Sequence, residues 1–194
     1  MPPKARVSKN EVIAAALSLL RRSGQDEINA RKIAAELGCS TQPIFSNFSS
    51  MEELESEVTR AAYELYLGFI DGEIKSGKYP QYKAFGLAYI RFAREEKELF
   101  RYLLLTKKTD STALPEEGFD GPVEMIMKAN GISRELARLL HLEMWAFVHG
   151  IATMTATSFL ELDWDLIDRM LSDTYLGLCA RHSIEVPASG LAKG

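Results

Sequence analysis

Apolar residues recur at intervals of three and four positions along most of this 194-residue chain, which is the period of amphipathic helices. The first such segment follows Ser8 and Glu11, whose spacing predicts a capping box at a helix start. It ends near Gly24, where glycine can take the left-handed conformation that closes a helix. No segment alternates with the period of two expected of a strand. The pattern therefore predicts an all-α protein with about nine helices.

Two shorter apolar segments complete the first fifty residues. One predicts a helix over residues 30–37 with Asn29 as its cap, and the other a helix over residues 41–48 with Ser40 as its cap. A turn of residues 38–40 joins them. Two short helices joined in this way are typical of a helix-turn-helix, whose second helix enters the DNA major groove. The pattern therefore predicts a three-helix DNA-binding domain at the N-terminus.

Charge is divided unevenly along the chain. Residues 1–50 carry a net charge of +3 and residues 51–194 a net charge of −7. This division fits a DNA-binding domain over 1–50 and a separate helical domain over 51–194. Lys4 and Arg6 could contact the minor groove or stay disordered. A difference of this size is also compatible with ordinary scatter, so charge alone leaves both interpretations open.

The predicted second helix of the motif has a polar outer face. This face carries small hydrogen-bonding residues, namely Thr41, Gln42, Ser46 and Asn47. Such side chains suit base edges and phosphates. The alternative is that they form ordinary solvated surface, because a helix-turn-helix pattern by itself is a weak signal.

The chain resembles the N-terminal signature of TetR-family transcriptional regulators over roughly residues 8–58. The resemblance rests on Ala-Ala-Glu-Leu-Gly-Cys-Ser at 34–40 and on Ile-Phe-Ser-Asn-Phe-Ser-Ser-Met-Glu-Glu-Leu at 44–54. It implies binding to double-stranded DNA through two groups of residues. The first group contacts bases, with one cation reaching a base or a phosphate: Thr41, Gln42, Ser46 and Arg31. The second lies against the DNA backbone: Ser40, Phe45, Asn47 and Ser50.

Three positions depart from the TetR pattern. Phe45 stands where the family usually has Tyr, Asn47 where it has His or Tyr, and Met51 where it has Lys. Phe45 lacks a hydroxyl that could donate to a phosphate, and Met51 lacks a positive charge. We therefore expect weaker contacts with the DNA backbone than the family pattern provides, although the N–H groups at the helix start near Met51 can still meet a phosphate.

Beyond residue 50 the pattern predicts a helical bundle. Helices are expected over residues 51–77, 82–95, 97–107, 122–129, 133–161 and 163–180. Pro122 is expected to open one of them, and Ser133 and Asp163 to cap the last two. Residues 110–120 are expected to form a loop.

The helix predicted from Ser133 onwards is apolar on both sides. Between Leu139 and Leu160 its only charged residue is Glu143. Such a helix must be covered on both sides. Paired with the last helix, it is expected to form a four-helix interface with a second copy, which suits two DNA half-sites. A monomer that covers both faces itself is the alternative. The expected interface residues are Phe147, Ile151, Met154, Ile167, Met170, Leu171, Thr174 and Leu178.

Trp145, His149 and Gly150 also resemble the Trp-His-Gly signature of one C-terminal class of the TetR family. Trp145 and His149 are four residues apart and share a helix face. The resemblance implies a pocket for a small-molecule inducer. The residues expected to line it are Tyr66, Phe69, Tyr89, Phe92, Phe100, Met125, Trp145 and His149. A packed core that contains one satisfied histidine is the alternative.

Other chemistry finds little support in the sequence. It contains no glycine-rich phosphate loop, no His-Glu-x-x-His motif and no Cys-x-x-Cys pair, so we expect no cofactor, no metal and no enzymatic activity. The long apolar run contains His141, Glu143 and His149, which are costly in hydrocarbon, so no membrane span is expected. The two cysteines and the lack of a secretory signal favour a cytoplasmic protein.

The expected function is a homodimeric DNA-binding transcriptional regulator, a repressor released from its operator by a small, largely apolar ligand. The alternative, motivated by Phe45 and Met51, is a helical dimer that binds a small molecule or a partner and has lost operator binding. An enzyme that uses the aromatic cavity is a third hypothesis, which the missing nucleophile and metal motifs disfavour.

Overall fold

A computed structural model describes residues 7–105 and 116–186, with side chains from residue 120 onwards in the second range. These residues form helices and contain no strand, as predicted. The α-helices are α1 (Lys9–Ser23), α2 (Ala30–Glu36), α3 (Gln42–Asn47), α4 (Met51–Lys75), α5 (Gln81–Glu95), α6 (Lys97–Phe100), α7 (Glu116–Asn130), α8 (Arg134–Ala156) and α9 (Trp164–Arg181). A 3₁₀ turn, Gln25–Glu27, precedes α2.

Local sequence signals set several helix starts. The Ser8 hydroxyl accepts from the Glu11 N–H at 3.3 Å, and the Glu11 carboxylate accepts from the Ser8 N–H at 2.8 Å. This reciprocal pair is the predicted capping box. Asn29 Oδ1 accepts from a backbone N–H in the first turn of α2 at 3.0 Å. Ser133 and Asp163 cap α8 and α9 as predicted.

The start of α3 and the end of α6 differ from the prediction. α3 begins at Gln42 after Thr41, so Ser40 is not its cap. Thr41 already has helical backbone angles (φ −73°, ψ −13°), and no side chain caps this helix. α6 ends at Phe100 and continues as a π-helical turn, Arg101–Leu105, rather than as one regular helix.

The predicted bounds of α7 and α8 are also wrong. α7 begins at Glu116, so Pro122 lies inside it instead of opening it, and residues 116–120 are not a loop. The helix lacks the backbone bond that a residue other than proline would donate there. α8 ends at Ala156 because Ser158 takes a positive φ of 55° and the chain turns.

Contacts divide the chain into two compact units. In the described ranges, unit 1 comprises residues 7–67 and 96–105, and unit 2 comprises residues 68–95 and 116–186. The core of unit 1 is formed by apolar side chains with no exposed surface: Val12, Ala16, Leu20, Ile33, Ile44, Leu54, Val58, Leu99 and Phe100.

Unit 1 extends beyond the helix-turn-helix because α6 packs on α1. The Arg21 guanidinium binds the Glu96 carboxylate, with Nε 2.9 Å from Oε2. Thr59 Oγ1 lies 2.6 Å from the hydroxyl of Tyr102. The division into two compact units therefore does not fall at residue 50, where the domain boundary is expected. That boundary divides the chain by function, and it stays a prediction.

Helix α5 is the centre of unit 2, where it packs against α7, α8 and α9. Its buried side is made of Ala84, Gly86, Leu87, Ala88, Tyr89, Ile90, Phe92 and Ala93. At Gly86 a Cβ would lie 3.3 Å from Leu171 and 3.5 Å from Val148. The absence of a side chain at Gly86 thus allows α5 to approach α8 and α9 closely.

Two further observations bear on the predicted class of protein. Within residues 7–105 and 116–186, no helix is long and apolar enough to cross a lipid bilayer. Cys39 and Cys179 are free thiols, the first half-buried and the second buried.

Candidate functional site

Helix α3 presents an exposed face on a buried scaffold. Ile44 and Phe48 point into the core of unit 1, with exposures of 0% and 3%. Gln42, Phe45 and Ser46 lie on the outer side, and Phe45 is 55% exposed. The helix is held from beneath, so its outer residues are available to another molecule.

Two polar side chains of α3 are engaged within the protein. The Ser46 hydroxyl donates to the Gln42 carbonyl oxygen at 2.9 Å. The Ser46 oxygen can therefore still accept a hydrogen bond, but it has no hydrogen left to donate. The Asn47 amide donates to the carbonyl oxygens of Val7 at 3.0 Å and Pro43 at 2.8 Å. Both amide hydrogens of Asn47 are therefore used. The DNA-backbone contact expected of Asn47 would be left without a donor.

Most cations of the described helix-turn-helix region are paired with carboxylates. Lys9 pairs with Glu53 and Glu57, Arg21 with Glu96, Arg22 with Glu36, and Lys32 with Glu27. Arg31 is exposed, and no ion pair to it occurs among the described residues. Lys4 and Arg6 lie outside those residues. Arg31 is thus the cation of this region that is best placed to meet a phosphate or a base.

The remaining predicted DNA contacts lie at the ends of the short helices. Ser40 is exposed and Thr41 is half-buried. The Ser50 hydroxyl accepts from the Glu53 N–H at 3.3 Å, so it caps α4. Met51 begins α4 with no charge of its own, as the sequence indicates.

Unit 2 encloses a cavity of about 650 Å³. This volume is in the range of sites that bind small organic molecules. Its wall is mainly aromatic and aliphatic: Tyr79, Tyr82, Phe85, Tyr89, Met125, Met144, Trp145, Val148, Leu171, Tyr175, Leu176 and Val186. Polar residues also reach it, namely Gln81, Lys83, Lys128, Asn130, His141, Asp168 and Ser172.

A buried tyrosine–histidine pair lies on one side of the cavity. The Tyr82 hydroxyl lies 2.9 Å from His141 Nδ1, and the two rings meet edge to face with centroids 5.8 Å apart. Burial lowers the pKa of His141 to about 4 and raises the pKa of Tyr82. Both groups are therefore neutral at pH 7. The pair offers a ligand hydrogen bonds without charge.

A second pair of the same kind involves Tyr89 and His149. The Tyr89 hydroxyl lies 2.8 Å from His149 Nδ1, and Trp145 stacks on the imidazole with centroids 5.0 Å apart. Burial lowers the pKa of His149 and raises the pKa of Tyr89. Tyr89 and Trp145 face the cavity, whereas His149 lies behind them.

Two of the three charges at the cavity neutralise each other, and the third, Lys128, is exposed. Lys83 Nζ lies 2.6 Å from Asp168 Oδ1 and donates to the Ser172 hydroxyl at 2.8 Å. Asn130 Nδ2 donates to the Tyr175 hydroxyl at 2.7 Å, and burial raises the pKa of Tyr175 to about 12. The cavity thus combines an apolar wall with neutral hydrogen-bonding groups and one internal ion pair.

The predicted pocket residues are only partly brought together. Tyr89, Met125 and Trp145 lie on the wall. Phe69 and Phe92 instead pack on each other, with ring centroids 5.4 Å apart, and do not line the cavity. Phe92 shares helical spacing with Tyr89, which does face the cavity, whereas no described residue of α4, the helix that carries Phe69, lines it.

Two further pocket predictions fail because the residues belong to unit 1. Tyr66 and Phe100 are buried there, with exposures of 6% and 0%. Tyr82 and His141 are not among the pocket residues predicted from the sequence. A signal for both exists, because Tyr82 precedes Tyr89 by seven residues and His141 precedes Trp145 by four, which places each pair on one helix face.

Comparison with known proteins indicates the family. A family model described as the tetracyclin repressor-like C-terminal domain matches residues 82–174, a segment that contains Trp145, His149 and Gly150. This match supports a TetR-family transcriptional regulator. This confirms the resemblance noted in the sequence.

A relative extends the similarity to the N-terminal part of the chain. It is 23% identical over 181 residues to an uncharacterised helix-turn-helix-type transcriptional regulator of Mycobacterium tuberculosis, covering 91% of this chain and 82% of that one. The solved structure of a TetR-family protein from Vibrio parahaemolyticus superposes with a TM-score of 0.54 at 16% identity. That superposition covers 87% of this chain and 97% of the other, and it supports the fold.

The residues expected at a dimer interface fall into two groups. Ile151, Ile167 and Leu171 are at most 2% exposed, so they belong to the core of the single chain and have little surface to give to a partner. The others are half-buried: Phe147, Met154, Met170, Thr174 and Leu178. Gly150 lies three residues after Phe147 on the same face of α8, and a Cβ at Gly150 would meet no atom within 4 Å.

Within the described ranges, no group of three or more His, Cys, Asp or Glu side chains is arranged to hold a metal ion.

Proposed function

We propose that this TetR-family regulator is a homodimeric repressor. It binds double-stranded DNA through α3 and leaves its operator when a small, largely apolar ligand occupies the cavity of unit 2. The observation that carries the proposal is the outer face of α3, where Gln42, Phe45 and Ser46 are exposed above a fully buried Ile44. A polar helix face held on a rigid core is the geometry of a recognition helix.

The chemistry of the cavity supports an uncharged ligand. Lys83 and Asp168 neutralise each other, and the Tyr82–His141 pair is neutral. An ion buried beside these groups would lose its hydration shell without gaining a charge partner, because the remaining cation of the lining, Lys128, is exposed to solvent. A flat, uncharged molecule could pack on the aromatic wall and form one or two hydrogen bonds. We propose that the cavity binds such a molecule and does not transform it.

Release from DNA would follow from a shift between two conformations. A dimer needs its two α3 helices about one DNA turn apart, roughly 34–36 Å. A ligand that binds better to a conformation with another spacing favours that conformation by its difference in affinity. DNA and ligand then weaken each other's binding by the same factor.

The DNA-binding part is tested by selecting preferred duplexes from a random pool and measuring affinity at several salt concentrations. We expect a palindromic site with half-sites one turn apart. Replacing both Gln42 and Arg31 with Ala should weaken binding by about tenfold or more. The matched control is Gln25→Ala, an exposed glutamine in unit 1 outside α3.

Two results would overturn the DNA-binding proposal. One is a wild-type protein that shows no sequence-selective, salt-dependent binding. The other is a regulatory phenotype that survives the loss of Gln42 and Arg31, because DNA reading would then not be the activity.

The ligand-binding part is tested with three probes of similar shape: 1-naphthol, 1-naphthoate and 1-naphthylmethylammonium. In a Trp164→Phe variant the remaining tryptophan is Trp145, which lies on the cavity wall and reports occupancy by fluorescence. We expect 1-naphthol to bind most tightly and to raise the unfolding temperature. Tighter binding of either charged probe would contradict an uncharged ligand class.

A second candidate function is a dimeric binding module that has lost operator binding. The ion pairs of Lys9, Arg21, Arg22 and Lys32 favour it, because they reduce the charge available to DNA phosphates. It predicts probe binding and dimerisation without selective DNA binding. The experiments above therefore separate the two functions.

A further inference from the structure

The outer face of α3 carries an unusual set of side chains for a helix that reads DNA bases. Gln42–Asn47 contains no charged residue. The hydroxyl hydrogen of Ser46 and both amide hydrogens of Asn47 are used within the protein. The side-chain amide of Gln42 makes no hydrogen bond among the described residues. Gln42 therefore supplies the donor of this face, and it supplies an acceptor as well.

Phe45 is the exposed apolar member of this face. Its ring is 55% exposed although the neighbouring Ile44 is fully buried. Gln42 and Phe45 are three residues apart, so they are neighbours on the helix surface, with Cβ atoms roughly 5–6 Å apart. An amide and a phenyl ring are thus presented side by side.

The four base pairs differ in how well they match these two groups. Guanine presents two acceptors in the major groove and is best met by the donors of Arg or Lys, which α3 lacks. Adenine presents one acceptor and one donor, which a glutamine amide matches in a bidentate manner. Thymine adds a C5 methyl group, which is a surface for an apolar side chain.

We propose that α3 reads adjacent A·T pairs, with Gln42 on an adenine and the Phe45 ring against the C5 methyl group of a thymine. The inference rests on the proposed DNA binding and names the half-site chemistry. Phe45 is then a specificity-determining residue. The hydroxyl that a Tyr would carry at this position is not needed, because the contact is apolar.

The test replaces thymine with deoxyuridine, which removes the methyl group and preserves base pairing. The operator selected by the wild-type protein is synthesised with each thymine replaced in turn. We expect one thymine in each half-site at which the replacement weakens binding by about fourfold, the effect of losing one buried methyl-sized group. Replacement at both half-sites should weaken binding by about fifteenfold if the two contacts add.

Variants at position 45 show which side chain makes the contact. Phe45→Ala should bind thymine and deoxyuridine operators equally, whereas Phe45→Tyr keeps the ring and should keep the difference. Because Phe45 is exposed, both variants should unfold near the wild-type temperature, which checks that the fold is intact.

The outcomes distinguish this inference from the function on which it rests. A wild-type protein without selective DNA binding would overturn the function. Selective binding to G·C half-sites would overturn the inference alone. So would a deoxyuridine operator that binds as well as thymine, or a methyl effect of the same size in Phe45→Ala.

Discussion

The side chain of Asn47 connects the last turn of α3 to the segment that precedes α1. Its amide donates to Val7 and Pro43 carbonyl oxygens, 40 and four residues away in sequence. A TetR-family His or Tyr at this position would be exposed to a phosphate, but Asn47 is turned inward and half-buried. We therefore expect the residue to set the position of α3 and not to contact DNA directly.

This role predicts an order of stability among variants of Asn47. Asn47→Ala loses two hydrogen bonds and should lower the free energy of unfolding by about 1–2 kcal/mol. Asn47→Asp has nearly the same size but cannot donate, so its carboxylate would face two carbonyl oxygens and should cost more than alanine does. Urea unfolding at pH 7 measures both. An aspartate variant as stable as the wild type would refute the role.

Burial of His141 makes stability depend on pH. Its pKa is lowered from an ordinary value of 6.5 to about 4 in the folded state. As the pH falls below 6.5, the unfolded chain therefore takes up a proton before the folded chain does. We expect the free energy of unfolding to decrease between pH 6.5 and 4, by about 3 kcal/mol in total for this group.

The matched variant for this prediction is His141→Gln, which can still bond to Tyr82 but does not titrate. Urea unfolding at pH 7, 6 and 5 should give a shallower pH dependence for the variant than for the wild type. Some dependence should remain, because burial also lowers the pKa of His149. Equal slopes for the two proteins would show that His141 is not neutral when buried.

At the scale of elements, the close approach of α5 to its neighbours is the feature most open to test. A Cβ at Gly86 would press on Leu171, which is only 2% exposed and has little room to move. Gly86→Ala should therefore lower the free energy of unfolding by about 1 kcal/mol despite the better helix propensity of alanine. The control is Gly68→Ala in α4, where a Cβ meets no atom within 4 Å.

The control should move in the opposite direction. Gly68→Ala restricts the unfolded chain without a clash and should stabilise the protein by about 0.5–1 kcal/mol. Thermal unfolding of the two variants beside the wild type is sufficient. An equal gain from both would mean that Leu171 moves aside freely.

Local signals made the helices predictable, whereas long-range packing did not. Ser8, Asn29 and Asp163 cap helices through side chains two or three residues away from the N–H groups that they bind, so the sequence alone contains the cause. The cavity wall depends on which faces of α5, α7, α8 and α9 meet. Phe92 has the same helical spacing as Tyr89, yet it packs against Phe69 and does not reach the wall.

At the scale of the whole molecule, the proposed dimer can be tested through Gly150. Its Cβ position is open in the single chain, so Gly150→Phe should leave the fold of the protomer intact. If α8 faces a second copy, the phenyl ring would obstruct the interface. We expect the wild type to sediment as a dimer at micromolar concentration and the variant to sediment as a monomer with weaker DNA binding.

Gly72→Phe is the matched control, since its Cβ position in α4 is also open and lies outside the proposed interface. It should remain dimeric. A wild-type monomer, or a Gly150→Phe protein that stays dimeric, would contradict the arrangement.

The ion pairs of the described helix-turn-helix region have a consequence for how the protein would find its target in a genome. Attraction to arbitrary sequence comes almost entirely from unpaired cations meeting phosphates. With Lys9, Arg22 and Lys32 bound to carboxylates, we expect short dwell times on unrelated DNA. Such a protein would search by repeated collisions from solution more than by sliding, and little of it would be sequestered along the chromosome.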